Sequence, residues 1–161
     1  MEKKKTYHRS SENNMTTISQ EEENFARMSL LLSGISHRAV RKLFDSEFDP
    51  SCLDASIKNE YIKLKDLKIK RIINQSQWNL LFPYKGQPDS NMFDVTLMIT
   101  LLTNLTKLNS YEKFPIATDT TPSADLARIK YYRNNIAHNN GKIDSSYFST
   151  AWEDIMEVCI P

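Results

Sequence analysis

Residues 93–108, Phe-Asp-Val-Thr-Leu-Met-Ile-Thr-Leu-Leu-Thr-Asn-Leu-Thr-Lys-Leu, decide the fold. Drawn as a helix, the stretch is apolar around most of its circumference, the pattern of a helix surrounded by other helices. The apolar run from Met92 to Leu105 is broken by Asp94, Thr100 and Asn104 and is too short to span a bilayer. It is expected to be the buried centre of a helical bundle.

Working outward toward the C-terminus, residues 109–121 read as a connection. Thr121-Pro122 sets a capping hydroxyl before a proline at the first helical position, so the next helix is expected over 122–139. Asn139-Asn140-Gly141 is a stop signal. Asp144 then caps a last helix carrying Tyr147, Phe148, Ala151, Trp152, Ile155 and Val158.

Toward the N-terminus, a Pro/Gly/Asn loop occupies 83–91, and Ser76 is expected to cap a short helix through Trp78, Leu80, Leu81 and Phe82. Residues 58–73 are lysine-rich. Ile62-Lys63-Leu64-Lys65 alternates like a strand, but no other stretch offers a strand partner, so one helix is expected there. Its lysines read as a solvated face that could also meet phosphates. Ser19-Gln20-Glu21-Glu22 is a capping box, and Phe25, Met28, Leu32, Ile35, Ala39, Val40 and Leu43 repeat at three- and four-residue steps. That spacing predicts one long helix over about 19–45. The reading is all-α: a basic, disordered tail at 1–18, then a single compact bundle of five to seven helices over 19–161.

Composition agrees. The 161 residues carry 21 Lys+Arg against 20 Asp+Glu, a balance that excludes a histone-like polycation and an acidic solvating tail. The three glycines, Gly34, Gly86 and Gly141, are too few for a Gly-rich phosphate loop or an all-β chain full of tight turns. Cys52 and Cys159 stand far apart with no CxxC or Cys/His cluster. Two reduced thiols are expected, with no metal site and no cofactor. The first 20 residues lack an apolar core, so a cytoplasmic protein is expected, with no secretory leader, no membrane segment and no membrane partner.

One constellation stands out. At about 100° per residue, Leu126, Ile129, Ile136 and Ala137 form an apolar stripe on the 122–139 helix, and Arg133 falls inside it. A guanidinium facing a core is costly unless it is paired or meets a partner surface. Asn134 and His138 share an adjoining face, so Arg133, Asn134 and His138 span an arc of about 140° near the helix end. Two readings stay open here. Arg133 snorkels and His138 satisfies a helix carbonyl, or the three groups converge on a ligand.

The run Arg128-Ile129-Lys130-Tyr131-Tyr132-Arg133-Asn134-Asn135-Ile136-Ala137-His138 resembles the Arg-x(4–6)-His signature of HEPN (higher eukaryotes and prokaryotes nucleotide-binding) domains. More closely, the chain resembles the HEPN domain of the DAZ-interacting zinc-finger, RNA-binding ubiquitin-ligase family. Phe25 to Leu32, Ser76 to Pro83, Ala117 to Thr120 and Ser123 to Arg128 support the likeness in that order, over about residues 20–160. The Arg133-to-His138 spacing lies at the short end of the signature, and the zinc-finger portion of longer relatives is not expected in these residues.

The resemblance implies a bundle that dimerises through the signature helix, here 122–139. It also implies a metal-independent endoribonuclease site built from two copies of the motif. Carried over, Arg133 holds the scissile phosphate, Asn134 orients the site and His138 transfers a proton. Arg128, Lys130, Tyr131 and Lys142 are then the flanking RNA-binding groups, cations beside rings on which bases stack. The alternative is a non-catalytic module that uses the same helix for self-association, RNA binding or protein contact.

Overall fold

Seven α-helices and two short 3-10 turns make up residues 17–108 and 113–159, which a computed structural model describes. Most of the expected basic tail lies outside the described residues, as do positions 109–112 of the connection and the Cys159 side chain. Cys52 is exposed and free.

Helix α1 (Gln20–Glu47) starts where the capping box places it. Ser19 Oγ accepts from the Glu22 N–H at 3.3 Å, and a Glu22 carboxylate oxygen accepts from the Ser19 N–H at 2.8 Å. These bonds hold the Glu22 carboxyl below its ordinary range. The helix runs to an extended Phe48 and a 3-10 turn at Pro50–Cys52. Met28, Leu31, Leu32, Val40 and Phe44 face inward.

The lysine-rich segment forms two helices instead of the one expected, α2 (Leu53–Asn59) and α3 (Tyr61–Ile69). The break falls at Glu60, whose N–H closes α2 on the Ile57 carbonyl at 3.2 Å and whose own carbonyl accepts from Leu64 N–H at 3.0 Å to open α3. Arg71 follows α3 at φ 60°, with Arg71 N–H bonding to the Lys68 carbonyl and Ile72 N–H to the Leu67 carbonyl. That pair of bonds is a Schellman stop. Helix α4 (Gln75–Leu81) is capped by Asn74 rather than by Ser76. Asn74 Oδ1 accepts from Gln77 N–H and Gln77 Oε1 accepts from Asn74 N–H, a box that an asparagine builds as well as a serine.

Helix α5 (Val95–Leu105) is the expected centre, with Val95, Leu97, Met98, Ile99, Leu101 and Leu102 all buried. It is shorter than the 93–108 stretch that announced it. Asp94 caps its start at 2.7 Å from Leu97 N–H, and Thr106 leaves the helix in extended backbone. Helix α1 packs along α5, α6 (Pro122–Ala137) and α7 (Ser145–Cys159), and α6 touches both α5 and α7. Leu53, Ile57, Leu64, Leu67 and Leu81 bring the three short helices into the same core. No described helix is long and apolar enough to cross a membrane.

Candidate functional site

Helix α6 begins as its sequence dictates, with Thr121 Oγ1 accepting from Ala124 N–H at 3.3 Å and Pro122 in the first turn. Its buried residues are Ala124, Leu126, Arg128, Ile129 and Tyr132. This stripe differs from the expected one. Leu126 and Ile129 are inside, but Ile136 is only half-buried and Ala137 is exposed. The arginine within the stripe is Arg128, and it is only 5% exposed.

Arg128 is held at two points. One guanidinium nitrogen lies 3.1 Å from an Asp125 carboxylate oxygen, and the other donates to the Ile116 carbonyl at 2.7 Å. Burial pushes the Asp125 carboxyl up, with the neighbouring guanidinium opposing the shift. Expected at the surface among the RNA contacts, Arg128 instead ties α6 to the segment before it.

Arg133 is half-buried and donates to the Leu32 carbonyl of α1 at 3.3 Å. Among the described residues no carboxylate pairs with it. Asn134 and His138 are exposed. His138 is the C-cap itself, its backbone N–H shared between the Asn134 and Ile136 carbonyls. The imidazole therefore stands at the negative end of the helix dipole. Of the three, only His138 lines a cavity of about 410 Å³, together with Asn135, Asn139, Lys142, Asp144 and Tyr147. Arg133 and Asn134 are not in its wall, so one chain does not gather all three around this cavity.

Lys130 and Lys142 are exposed, and Lys142 lies 4.0 Å from Glu22. Tyr131 is exposed and packs its ring on Phe114 and Tyr132. Sequence reasoning missed the polar bracing beneath this end. The Tyr132 hydroxyl donates to the Asp154 carboxylate, and Asn135 Nδ2 donates to the Tyr147 hydroxyl at 2.9 Å. Burial and the Asp154 charge push the Tyr132 hydroxyl above the usual phenol range; burial also raises that of Tyr147, against its bond from Asn135. Asp154 lies on α7, and no spacing rule within one helix could have found it. Among the described residues no group of three or more His, Cys, Asp or Glu could hold a metal ion.

The second half of α6 and the loop after it thus carry a guanidinium with open donors, an exposed imidazole, an amide, two lysines and an exposed ring. Such a set can bind a phosphodiester and move a proton. The family described as DZIP3/hRUL138-like HEPN matches residues 50–160, a stretch that holds α2 to α7 and the whole of α6. No curated protein and no solved structure matches the chain.

Proposed function

The chain belongs to the DZIP3/hRUL138-like HEPN family, and from that premise we propose that it binds and cleaves single-stranded RNA as a dimer formed through α6. The observation that carries this reading is the open C-terminal end of that helix. Arg133 is steadied against α1 by one bond yet free of any described carboxylate, and His138 and Asn134 are exposed on the same stretch of chain. A guanidinium has five N–H donors, so the bond to Leu32 leaves a fork for two phosphate oxygens.

RNA carries its own nucleophile. One imidazole takes the 2′-OH proton as the 2′ oxygen attacks phosphorus. The bond from phosphorus to the 5′ oxygen breaks, and a second imidazole, protonated, gives the departing oxygen its proton. The products are a 2′,3′-cyclic phosphate and a 5′-hydroxyl. A single chain has one such histidine on α6; a symmetric dimer supplies both. Arg133 stabilises the charge that gathers on the phosphate oxygens, and Asn134 orients the site. Lys130 and Lys142 hold flanking phosphates and Tyr131 stacks a base. Arg128 acts only by fixing α6.

The test is an assay of unstructured RNA in EDTA, with dimerisation followed by sedimentation velocity. Cyclic-phosphate ends are expected from the wild type. His138→Ala and Arg133→Ala should each lower cleavage by at least about a hundredfold while keeping the fold. A second reading, a binding or assembly module without catalysis, is favoured by the absence of Arg133 from the wall of the His138 cavity. RNA left intact by a dimeric wild type selects this second reading; a strict monomer at high micromolar concentration overturns both.

A further inference from the structure

Helix α3 has two apolar faces, and only one is used. Leu64 and Leu67 turn into the core. On the opposite side stand Ile62, 83% exposed, and Ile69, 71% exposed, seven residues apart and so almost in line. Ile72, just past the Schellman turn, is 49% exposed as well. Isoleucines this open on one short helix are not scattered surface residues; they form a patch that asks for a partner.

The charge around the ridge is one-sided. Leu53 to Gln75 holds six cations against three carboxylates. Each carboxylate is already matched: Asp54 to Lys58 at 2.6 Å, Glu60 to Lys63 at 2.8 Å and Asp66 to Lys70 at 2.7 Å. Lys68 lies over the Trp78 ring at 4.5 Å. Lys65 and Arg71 are exposed and form no ion pair among the described residues. The surface therefore combines protruding branched aliphatic chains with unmatched positive charge.

We propose that this ridge docks on an anionic phospholipid bilayer, with Ile62, Ile69 and Ile72 entering the headgroup boundary and Lys65 and Arg71 meeting lipid phosphates and carboxylates. RNA could use the cations, but the ring on this helix, Tyr61, is 43% exposed and already packed edge-on against Trp78 and Phe82, and bases gain little from isoleucine. A folded protein would need a socket shaped for a convex ridge. A bilayer boundary yields to protruding apolar groups and carries the complementary charge. The docking is peripheral, and it is independent of the chemistry proposed for α6.

The experiment is co-sedimentation of the full chain with vesicles of phosphatidylcholine alone and of phosphatidylcholine with about 30% phosphatidylserine. Binding is expected only to the anionic vesicles and should weaken when salt rises from about 50 to about 300 mM. Ile62→Ser with Ile69→Ser should lower the partition coefficient at least roughly tenfold. Lys65→Glu with Arg71→Glu should lower it by a similar factor. All four positions are exposed, and unchanged melting curves confirm that the fold is intact. Equal binding to both vesicle types, no binding to either, or full binding by the serine variant overturns the proposal. So does an affinity for an RNA oligonucleotide that falls in the glutamate variant when no vesicle is bound.

Discussion

Arg128 and Arg133 sit five residues apart on one helix and have opposite fates. Arg128 is buried, paired with Asp125 and bonded to the Ile116 carbonyl. Arg133 is half-buried and holds a single, longer bond to a backbone carbonyl of α1. The first arginine has its charge consumed by the fold; the second has its stem anchored and its charge left over. A helix that is pinned at its N-terminal half and open at its C-terminal end can present a guanidinium in a fixed place without neutralising it. On the proposed function, that division of labour makes α6 both scaffold and site.

The largest expected effect separates the two. Arg128→Ala leaves Asp125 and the Ile116 carbonyl without their partner and should destabilise the protein by about 3 kcal/mol. For a chain of this size that lowers Tm by roughly 6–12 °C. Arg133→Ala removes one 3.3 Å bond from a half-buried group and should cost less than about 1 kcal/mol. Guanidinium chloride melts of the two variants check this. Equal losses would break the comparison and make Arg133 a structural residue like its neighbour.

The next effect tests the brace between the halves. Tyr132→Phe deletes the hydroxyl that donates to Asp154 and should cost about 1–2 kcal/mol. The tyrosine also sets a pH dependence. Tyr132 and Tyr147 are held protonated above the usual phenol range. What they add to stability is complete below about pH 10 and is withdrawn as pH climbs through their higher folded-state values. Wild type should therefore lose Tm between neutral and strongly alkaline solution, and Tyr132→Phe should lose less. A variant whose alkaline melting profile overlays that of the wild type would show that Tyr132 does not brace α6 on α7.

How much of this was legible in the sequence depends on the range of the interaction. Caps are local, and Ser19, Thr121 and Asp144 announce their helices, whereas Asp94 reads in the sequence only as a break in an apolar run and proves to be the cap of α5; Asp144 Oδ1 accepts from both Ser146 and Tyr147 N–H groups. The central helix declared itself because burial on all sides demands apolar residues on all sides. The site residues were named from the signature run, but their burial was misjudged. The 100° projection put Arg133 in the stripe, and the real stripe is centred on Arg128 and Tyr132, because their partners Ile116 and Asp154 come from other segments. The lysine-rich segment reads as one helix because Glu60, where it breaks, is itself a good helix former and carries no stop signal.

Smaller effects come from the ends of helices. Gly141, just past α6, has φ +88°, and a Cβ added there would meet nothing within 4 Å. Gly141→Ala therefore costs only backbone strain, about 1 kcal/mol. That loss should appear as a lower Tm with the denaturant slope unchanged. A loss well above this would mean that the open side of Gly141 is filled by a neighbouring segment.

Arg71 is the counterpart of Gly141 with the wrong residue for its conformation. It closes α3 in the left-handed region, φ 60°, where glycine is usual and a Cβ is penalised. Its exposed side chain makes no ion pair among the described residues that would offset the penalty. Arg71→Gly should raise stability by about 0.5–1 kcal/mol, read as a Tm increase of roughly 1–4 °C. The same substitution removes one of the two unmatched cations of the α3 ridge and should weaken binding to anionic vesicles. Opposite signs for fold and binding would place Arg71 with Arg133, a charge held ready at no benefit to the fold. A drop in Tm would show instead that the side chain secures the turn, and would move Arg71 to the side of Arg128.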